Sequence, residues 1–471
     1  MESGKIHSLK YISLYIKGER MNNKERDEKF LKSWLKKKIS ITTSTVVSFL
    51  ITGAIGGGAA YGAGNKAGTG GNNNSVAWGQ GSSVDNDSVA VGANASAVSA
   101  SGGNNPTVTS KGVAIGNNAK AEGSVSIGDS ASSTHFGVAV GYKAGVQNTT
   151  TGASFSNVTI GANTRVGVQG TQAAQGIAIG SGIQAHEGAW AKGDQSISIG
   201  ANTTASGDSS IAIGGDDLLS VSAKTSSYSD AKFDKNGNKI GGNSNNTASI
   251  NNIFNTLTGR GTILHQGIGT DGKFYTAWRN TESGQGGVAL GVKSISGDIA
   301  LAIGTFSEAK GTNSVAIGTG AQTPQSGAVA IGGGSTTYGL QGRQITDADI
   351  TLTDGTTMAL TNFAGASGVL EGSMVSFGKA GNERQLKNIA PGEVSATSTD
   401  GINGSQLFAV AKKLGDDISK FKYVSIKSND AGNKLNDGAT ANNAIAIGPN
   451  ASTKVESAVS LGDGANVLPG P

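Results

Sequence analysis

The chain has no cysteine. That excludes disulfides, thiolate metal sites and a cysteine nucleophile. Histidine is scarce: beyond the first 62 residues only His135, His186 and His265 remain, and none has a partner at metal-ligand spacing. No Gly-x-Ser-x-Gly elbow stands between a strand and a helix. The run Gly267 to Gly272 matches a dinucleotide fingerprint by letter but lacks a βαβ context, so it reads as a loop. The run Asp234 to Asn238 hints at a calcium loop, yet Lys239 replaces the required glycine and Asn245 the bidentate glutamate. The expectation is a protein with no catalytic residues, no cofactor and no metal. Aromatics are also few, at 5% of 471 residues, so the apolar content is thin.

Net positive charge is missing from most of the chain. Residues 1–62 hold eleven Lys/Arg and five Asp/Glu, a net +6; the whole chain is +4, so the remainder is −2. Nucleic acid is therefore not an expected partner. There is no long hydrophobic run either. The moderately apolar stretch Ile39 to Ile55 contains Thr42, Thr43, Ser44, Thr45 and Ser48, too polar and short for a membrane span. Preceded by Lys36, Lys37 and Lys38 and followed by Ala60, Gly62 and Ala63, it reads as a signal segment cleaved near those small residues. Met1 or Met21 could be the start.

What the chain has in excess is glycine, 75 residues, and it is periodic. The pentad Ser-Val-Ala-Ile-Gly, Ser314 to Gly318, recurs in variants. These end at Gly79, Gly92, Gly116, Gly128, Gly141, Gly161, Gly180, Gly200 and Gly214, then Gly291, Gly304, Gly318 and Gly332, then Gly448 and Gly462. The shortest intervals, such as 116 to 128 and 304 to 318, mark a solenoid. Within a pentad the branched residues alternate with Ser, Ala and Gly, so on a strand they occupy opposite faces. A second, weaker alternation such as Ala119-Lys120-Ala121 follows. Two short strands with glycine at the corners make one coil of a parallel β-roll. One coil cannot stand alone: ordering it costs roughly 1–2 kcal/mol per residue, and a fully buried Val or Ile returns only about 1.5–3 kcal/mol. Association between chains is expected on that ground. Which face fills the roll, Val/Ile or Ser/Ala, is open.

Two further stretches stand out. Val375 to Gly378 leads into Gly381-Asn-Glu-Arg-Gln-Leu-Lys-Asn-Ile-Ala390, and Ser398-Thr-Asp-Gly-Ile-Asn-Gly-Ser-Gln-Leu407 precedes a helical pattern. Leu407, Ala411, Leu414, Ile418 and Phe421 then fall at a/d spacing over two heptads. Repeats and motif together resemble the head and neck of trimeric autotransporter adhesins, the YadA-like family. The resemblance implies an all-β, left-handed parallel β-roll head in a homotrimer, with a neck and a short coiled coil. It also implies an exported protein at the surface or outer membrane of a Gram-negative-type bacterium, binding a host receptor or matrix protein. Carried over to the neck, Asn382, Glu383, Arg384, Gln385, Asn388, Asp400, Asn403 and Gln406 would form an inter-chain network. Gly401 departs from the family's usual alanine. No alternating barrel strands follow, so the chain reads as lacking its own membrane anchor. A self-associating coat protein is the alternative function; a β-helical acyltransferase is a further one, against which the short period counts.

The expected organisation is a signal peptide (1–62), head coils (63–214), an insertion (215–286), more coils (287–332) and a hairpin-containing insertion (333–373). Neck (374–407), coiled coil (408–422) and a second head-like segment (423–471) follow. Ser249 to Leu257 has helical spacing in Ile250, Ile253, Phe254 and Leu257, and Asp354-Gly355 marks the hairpin turn. The first insertion concentrates aromatics. They could form a mini-core on the roll, a recognition surface, or both; Phe274, Tyr275, Trp278 and Arg279 are the candidate receptor-binding residues.

Overall fold

The computed structural model describes residues 75–470, apart from 86, 103–104, 147–155, 169–173, 185–186, 261–279, 353–354, 420–431 and 433–436. The signal segment, the candidate receptor-binding residues Phe274, Tyr275, Trp278 and Arg279, and Phe421 lie outside them. The chain divides into two units, residues 1–344 with 367–385, and residues 345–366 with 386–471.

The first unit is a parallel β-roll. Its pentads form one sheet of 14 strands, from Val76–Trp78 to Val375–Ser376. The weaker alternations form a second sheet of 12 strands, from Ser83–Val84 to Gln322–Thr323. Each strand pairs in parallel with its equivalent one coil away, in unbroken register: Val113, Ala114 and Ile115 lie beside Val125, Ser126 and Ile127.

The stacking explains the pentad glycine. Gly116 has φ +135°, and a Cβ there would sit 2.3 Å from the carbonyl oxygen of Gly128 in the next coil. No side chain fits between coils that share a ladder at this corner. Two residues later most coils turn through the left-handed region, and asparagine, which tolerates it, recurs there as Asn94, Asn118, Asn163 and Asn202.

The roll is filled by its small residues. Ala90, Ala114, Ser126, Ala139, Ala178, Ser198, Ala212, Ala289, Ala302, Ala316 and Ala330, the pentad centres, are all fully buried. Opposite them on the second sheet lie Ala97, Ala121, Ser133 and Ala191. Buried hydroxyls pair across the interior: Ser126 with Ser133 at 2.9 Å, Ser198 with Thr203 at 2.8 Å. The branched residues point outward, with Ile115, Ile127, Ile160, Ile213 and Ile331 each 38–41% exposed.

The longer intervals leave the roll at its corners. Ala100–Gly102 and Asn105–Ser110 form an antiparallel hairpin. The first insertion carries helix α1 (Leu219–Ser222), two antiparallel strand pairs and helix α2 (Ile250–Thr258). Ser249 caps α2 by accepting from the Asn252 amide, and Gly259 ends it at φ +68°. The insertion is shorter than its aperiodic stretch, because Thr281–Ser283, placed in it by sequence, is a strand of the second sheet paired with Thr203–Ala205. The insertion separates that strand in sequence from the pentad of its coil, which ends at Gly214, so it has no sequence marker.

In the second unit, Asp347–Thr351 and Thr357–Thr361 pair as an antiparallel hairpin. Helix α3 spans Gly404–Ile418. Beyond it, Ile445–Ile447 pairs with Val459–Leu461 and Ser452–Thr453 with Asn466–Val467, two further coils of the same kind.

Candidate interaction surfaces

The insertion is anchored by a small core. Leu218, Phe254 and Phe306 are buried together, with Ile250 and Val292 packed against them. The rings of Phe254 and Phe306 lie 5.6 Å apart, a spacing suited to tilted aromatic packing. Arg260, just past α2, donates from Nη1 to the Phe306 carbonyl at 2.7 Å and from Nη2 to Glu308 Oε1 at 2.8 Å. Gln322 donates to the other Glu308 oxygen at 3.0 Å. Phe254 is the insertion aromatic that meets the roll here, while Phe233 and Ile240 on the outer hairpin are 58% and 67% exposed.

Beneath this core lies a buried polar group. Asn202, Asp216 and Lys293 occupy the same corner of three consecutive coils, 8%, 3% and 1% exposed. Asn202 Nδ2 donates to Asp216 Oδ2 at 2.8 Å. The Lys293 amide donates to the Gly215 carbonyl at 3.0 Å, and its ammonium lies 5.3 Å from the centre of the Phe306 ring. Burial holds the Asp216 carboxyl above the usual carboxylate range, against the opposing pull of Asn202 and the Lys293 charge.

A second cluster escaped the sequence reading. Arg165 and Trp190 are register partners in adjacent coils. The Arg165 guanidinium sits 4.0 Å and the Lys192 ammonium 4.4 Å from the Trp190 ring centre. Trp190 Nε1 donates to the Gly167 carbonyl at 2.8 Å. Twenty-five residues separate Arg165 from Trp190, so only the coil count could have paired them.

The neck residues fall into both units. Arg384 donates to Ser335 Oγ at 2.8 Å, to the Gly333 carbonyl at 2.6 Å and to the Phe377 carbonyl, capping carbonyls at the end of the roll. Glu383 accepts from the Gly381 amide at 2.8 Å, and Asn382 pairs with Lys379 in a tight turn. In the second unit Asp400 accepts from the Glu393 amide at 3.0 Å. Asn403 caps α3, accepting from the amides of Ser405 and Gln406, and Gln406 completes the box through the Asn403 amide at 3.0 Å. Gln406 also bonds Gly392 at both amide and carbonyl. Asn388 holds a left-handed turn at φ +60°. Gln385 is exposed at the edge of the first unit. Five of the eight thus bond through their side chains to their own chain.

Among the described residues, two uncovered apolar surfaces stand out. One is the outer face of the 14-stranded sheet, where Val and Ile form two columns along the roll. The other is α3, in which no residue is buried: Leu407, Leu414 and Ile418 are 61%, 59% and 69% exposed. No group of three metal-ligating side chains converges among the described residues.

A family model described as the YadA head domain repeat (2 copies) matches residues 191–216, 296–321, 309–335 and 439–465. Each match lies on coils described above. A search of curated proteins finds no match. Among solved structures, the C-terminal YadA-like domain of a Burkholderia pseudomallei protein is similar at 23% identity. It aligns over 41% of this chain and 70% of its own, with a TM-score of 0.18.

Proposed function

From a chain that carries YadA head domain repeats and is adhesin-like in the manner of trimeric autotransporters, we propose a non-enzymatic homotrimeric surface adhesin. It is exported, and it attaches the bacterium to host cells or extracellular matrix through three copies of the same head. The observation that carries this reading is the inversion of the roll: Ala and Ser fill the interior while the Val/Ile columns face outward. An apolar face that spans 14 strands is far larger than the scattered exposed apolar residues of a monomer. Covering it with copies of itself supplies the burial that a single coil lacks. Three copies also convert weak individual contacts into strong attachment.

Sedimentation of the secreted protein should give a trimer, and replacing Ile127 and Ile317 together by Asp should dissociate it. The trimer should then bind immobilised matrix proteins or epithelial cells, and the dissociated variant should bind at least tenfold more weakly. A trimer that only clumps the bacteria, with no host or matrix binding, would favour the coat-protein reading. A parent protein that sediments as a folded monomer would end this one.

A further inference from the structure

The Arg165, Trp190 and Lys192 cluster holds two cations on one ring without a counter-charge. Arg165 and Lys192 lie 4.0 Å and 4.4 Å from the Trp190 ring centre. Among the described residues neither meets a carboxylate at ion-pair distance. The sequence supplies no acid between Asp129 and Glu187, and Glu187 is engaged by the amides of Ile183 and Gln184. Along the outer column of the second sheet, Trp190 is followed by Thr204 and then by Glu282, which already accepts from Ser206 Oγ at 2.7 Å. We propose that Arg165, Trp190 and Lys192 form an anion-binding site for an acidic sugar, one that carries a carboxylate or a sulfate ester.

The geometry prepares the site. Val166 and Ala191 are buried in the roll, so their strand neighbours Arg165 and Trp190 project outward, half-buried. Trp190 Nε1 is tied to the Gly167 carbonyl, which fixes the indole, and the indole attracts both cations through its ring quadrupole. Among the described residues no acceptor meets the side-chain nitrogens of Arg165, and its Nε is buried. A guanidinium partly withdrawn from water and given no acceptor is under-solvated; burial accordingly lowers its pKa from the usual arginine value. An incoming anion supplies the missing acceptor. The guanidinium fork takes two oxygens of one group, and the Lys192 ammonium adds a point charge. Partial desolvation strengthens each of these contacts.

Placement decides the class of ligand. Lys120, the next cation along the column, is separated from Arg165 by Ser132 and Gly145, so no continuous basic stripe runs there for a polyanion. Gly145 and Thr204 flank the cluster in register, and neither is a large apolar residue of the kind that seats peptide side chains. What fits is one compact anionic group on an otherwise polar molecule, and an acidic sugar has that chemistry. The site is on the second sheet, away from the Val/Ile columns of the first, so it stays open when copies associate through those columns. The inference deepens the adhesin reading and rests on it for the source of the sugar, a host glycan.

Calorimetric titration of the folded full chain with sialyllactose, sulfated lactose and plain lactose tests it. One or both acidic sugars should bind saturably, and lactose at least about tenfold more weakly; the tighter of the two acidic sugars names the anion. Arg165→Gln should lower acidic-sugar affinity about tenfold and Lys192→Gln about threefold. Lys120→Gln removes the same charge from the same column three coils away and should change nothing. Arg165→Lys keeps the charge but loses the fork, so it should fall between parent and Arg165→Gln; it replaces Arg165→Gln if that variant fails to fold. No saturable binding of either acidic sugar up to about 10 mM overturns the proposal. So does an equal loss in Lys120→Gln, which would mean diffuse charge, and so does tighter binding of tetraglutamate than of either sugar, which would make the ligand an acidic peptide. A protein that binds the sugar but no host cell would end the adhesin reading and leave the site standing. Attachment to cells without any binding of the acidic sugars overturns the site alone.

Discussion

The roll and helix α3 expose apolar side chains for different reasons. In the roll every coil is closed by its own neighbours: strands pair in register and the interior is sealed by fully buried Ala and Ser. The apolar residues left outside are a surplus on a structure already hydrogen-bonded. In α3 there is no interior at all; the helix is 15 residues long with nothing buried. An isolated helix of that length is marginal in water. The roll is therefore specified from within and would gain further stability in the proposed trimer, whereas α3 is specified at its start by a cap and would need the proposed partner copies to persist. The i,i+4 pairs Lys412–Asp416 and Lys413–Asp417 are exposed and worth only a few tenths of a kcal/mol each.

The sharpest test of that contrast is the corner glycine. Gly116→Ala should cost about 3 kcal/mol or more. The left-handed strain accounts for roughly 1–3 kcal/mol, and its Cβ would meet the Gly128 carbonyl at 2.3 Å. Denaturant titration should show the midpoint fall; an unchanged midpoint would mean the coils are not held by their neighbours. Next in size is overfilling. Ala114→Val places two methyls in a fully buried position and should cost roughly 1–3 kcal/mol. The adjacent Ile115→Ala should weaken association between copies while leaving the coils' amide protection intact. Equal loss of protection in both variants would dissolve the distinction between interior and outer face. The smallest effect belongs to α3. Asn403→Ala removes a cap that accepts two amides and should cost about 1 kcal/mol of helix stability. Circular dichroism of the folded protein should register it as a lower helix melting point, with the roll unaffected.

Sequence alone determined the coil. The pentad's alternation, its glycine and its short period dictate strand, corner and parallel stacking, because those are local and repeat. The neck could be found by its motif. Helix α2 could be found by the spacing of Ile250 and Phe254, and the second hairpin by its turn residues. The strand Thr281–Ser283 was hidden, since it belongs to the second sheet and the whole first insertion separates it in sequence from its coil's pentad, which ends at Gly214. The neck side chains were legible as polar and clustered, but not as the caps and turns that five of them make within their own chain.

Tertiary structure decided the rest. Alternation defines two faces of a strand without saying which one is inside; the inner face is Ala and Ser because the two sheets of the roll close over small side chains. Likewise nothing local links Asn202 to Asp216 and Lys293, or Arg165 to Trp190. Stacking brings residues a coil apart into contact whatever their distance along the chain, and an insertion of any length between two coils leaves that contact intact.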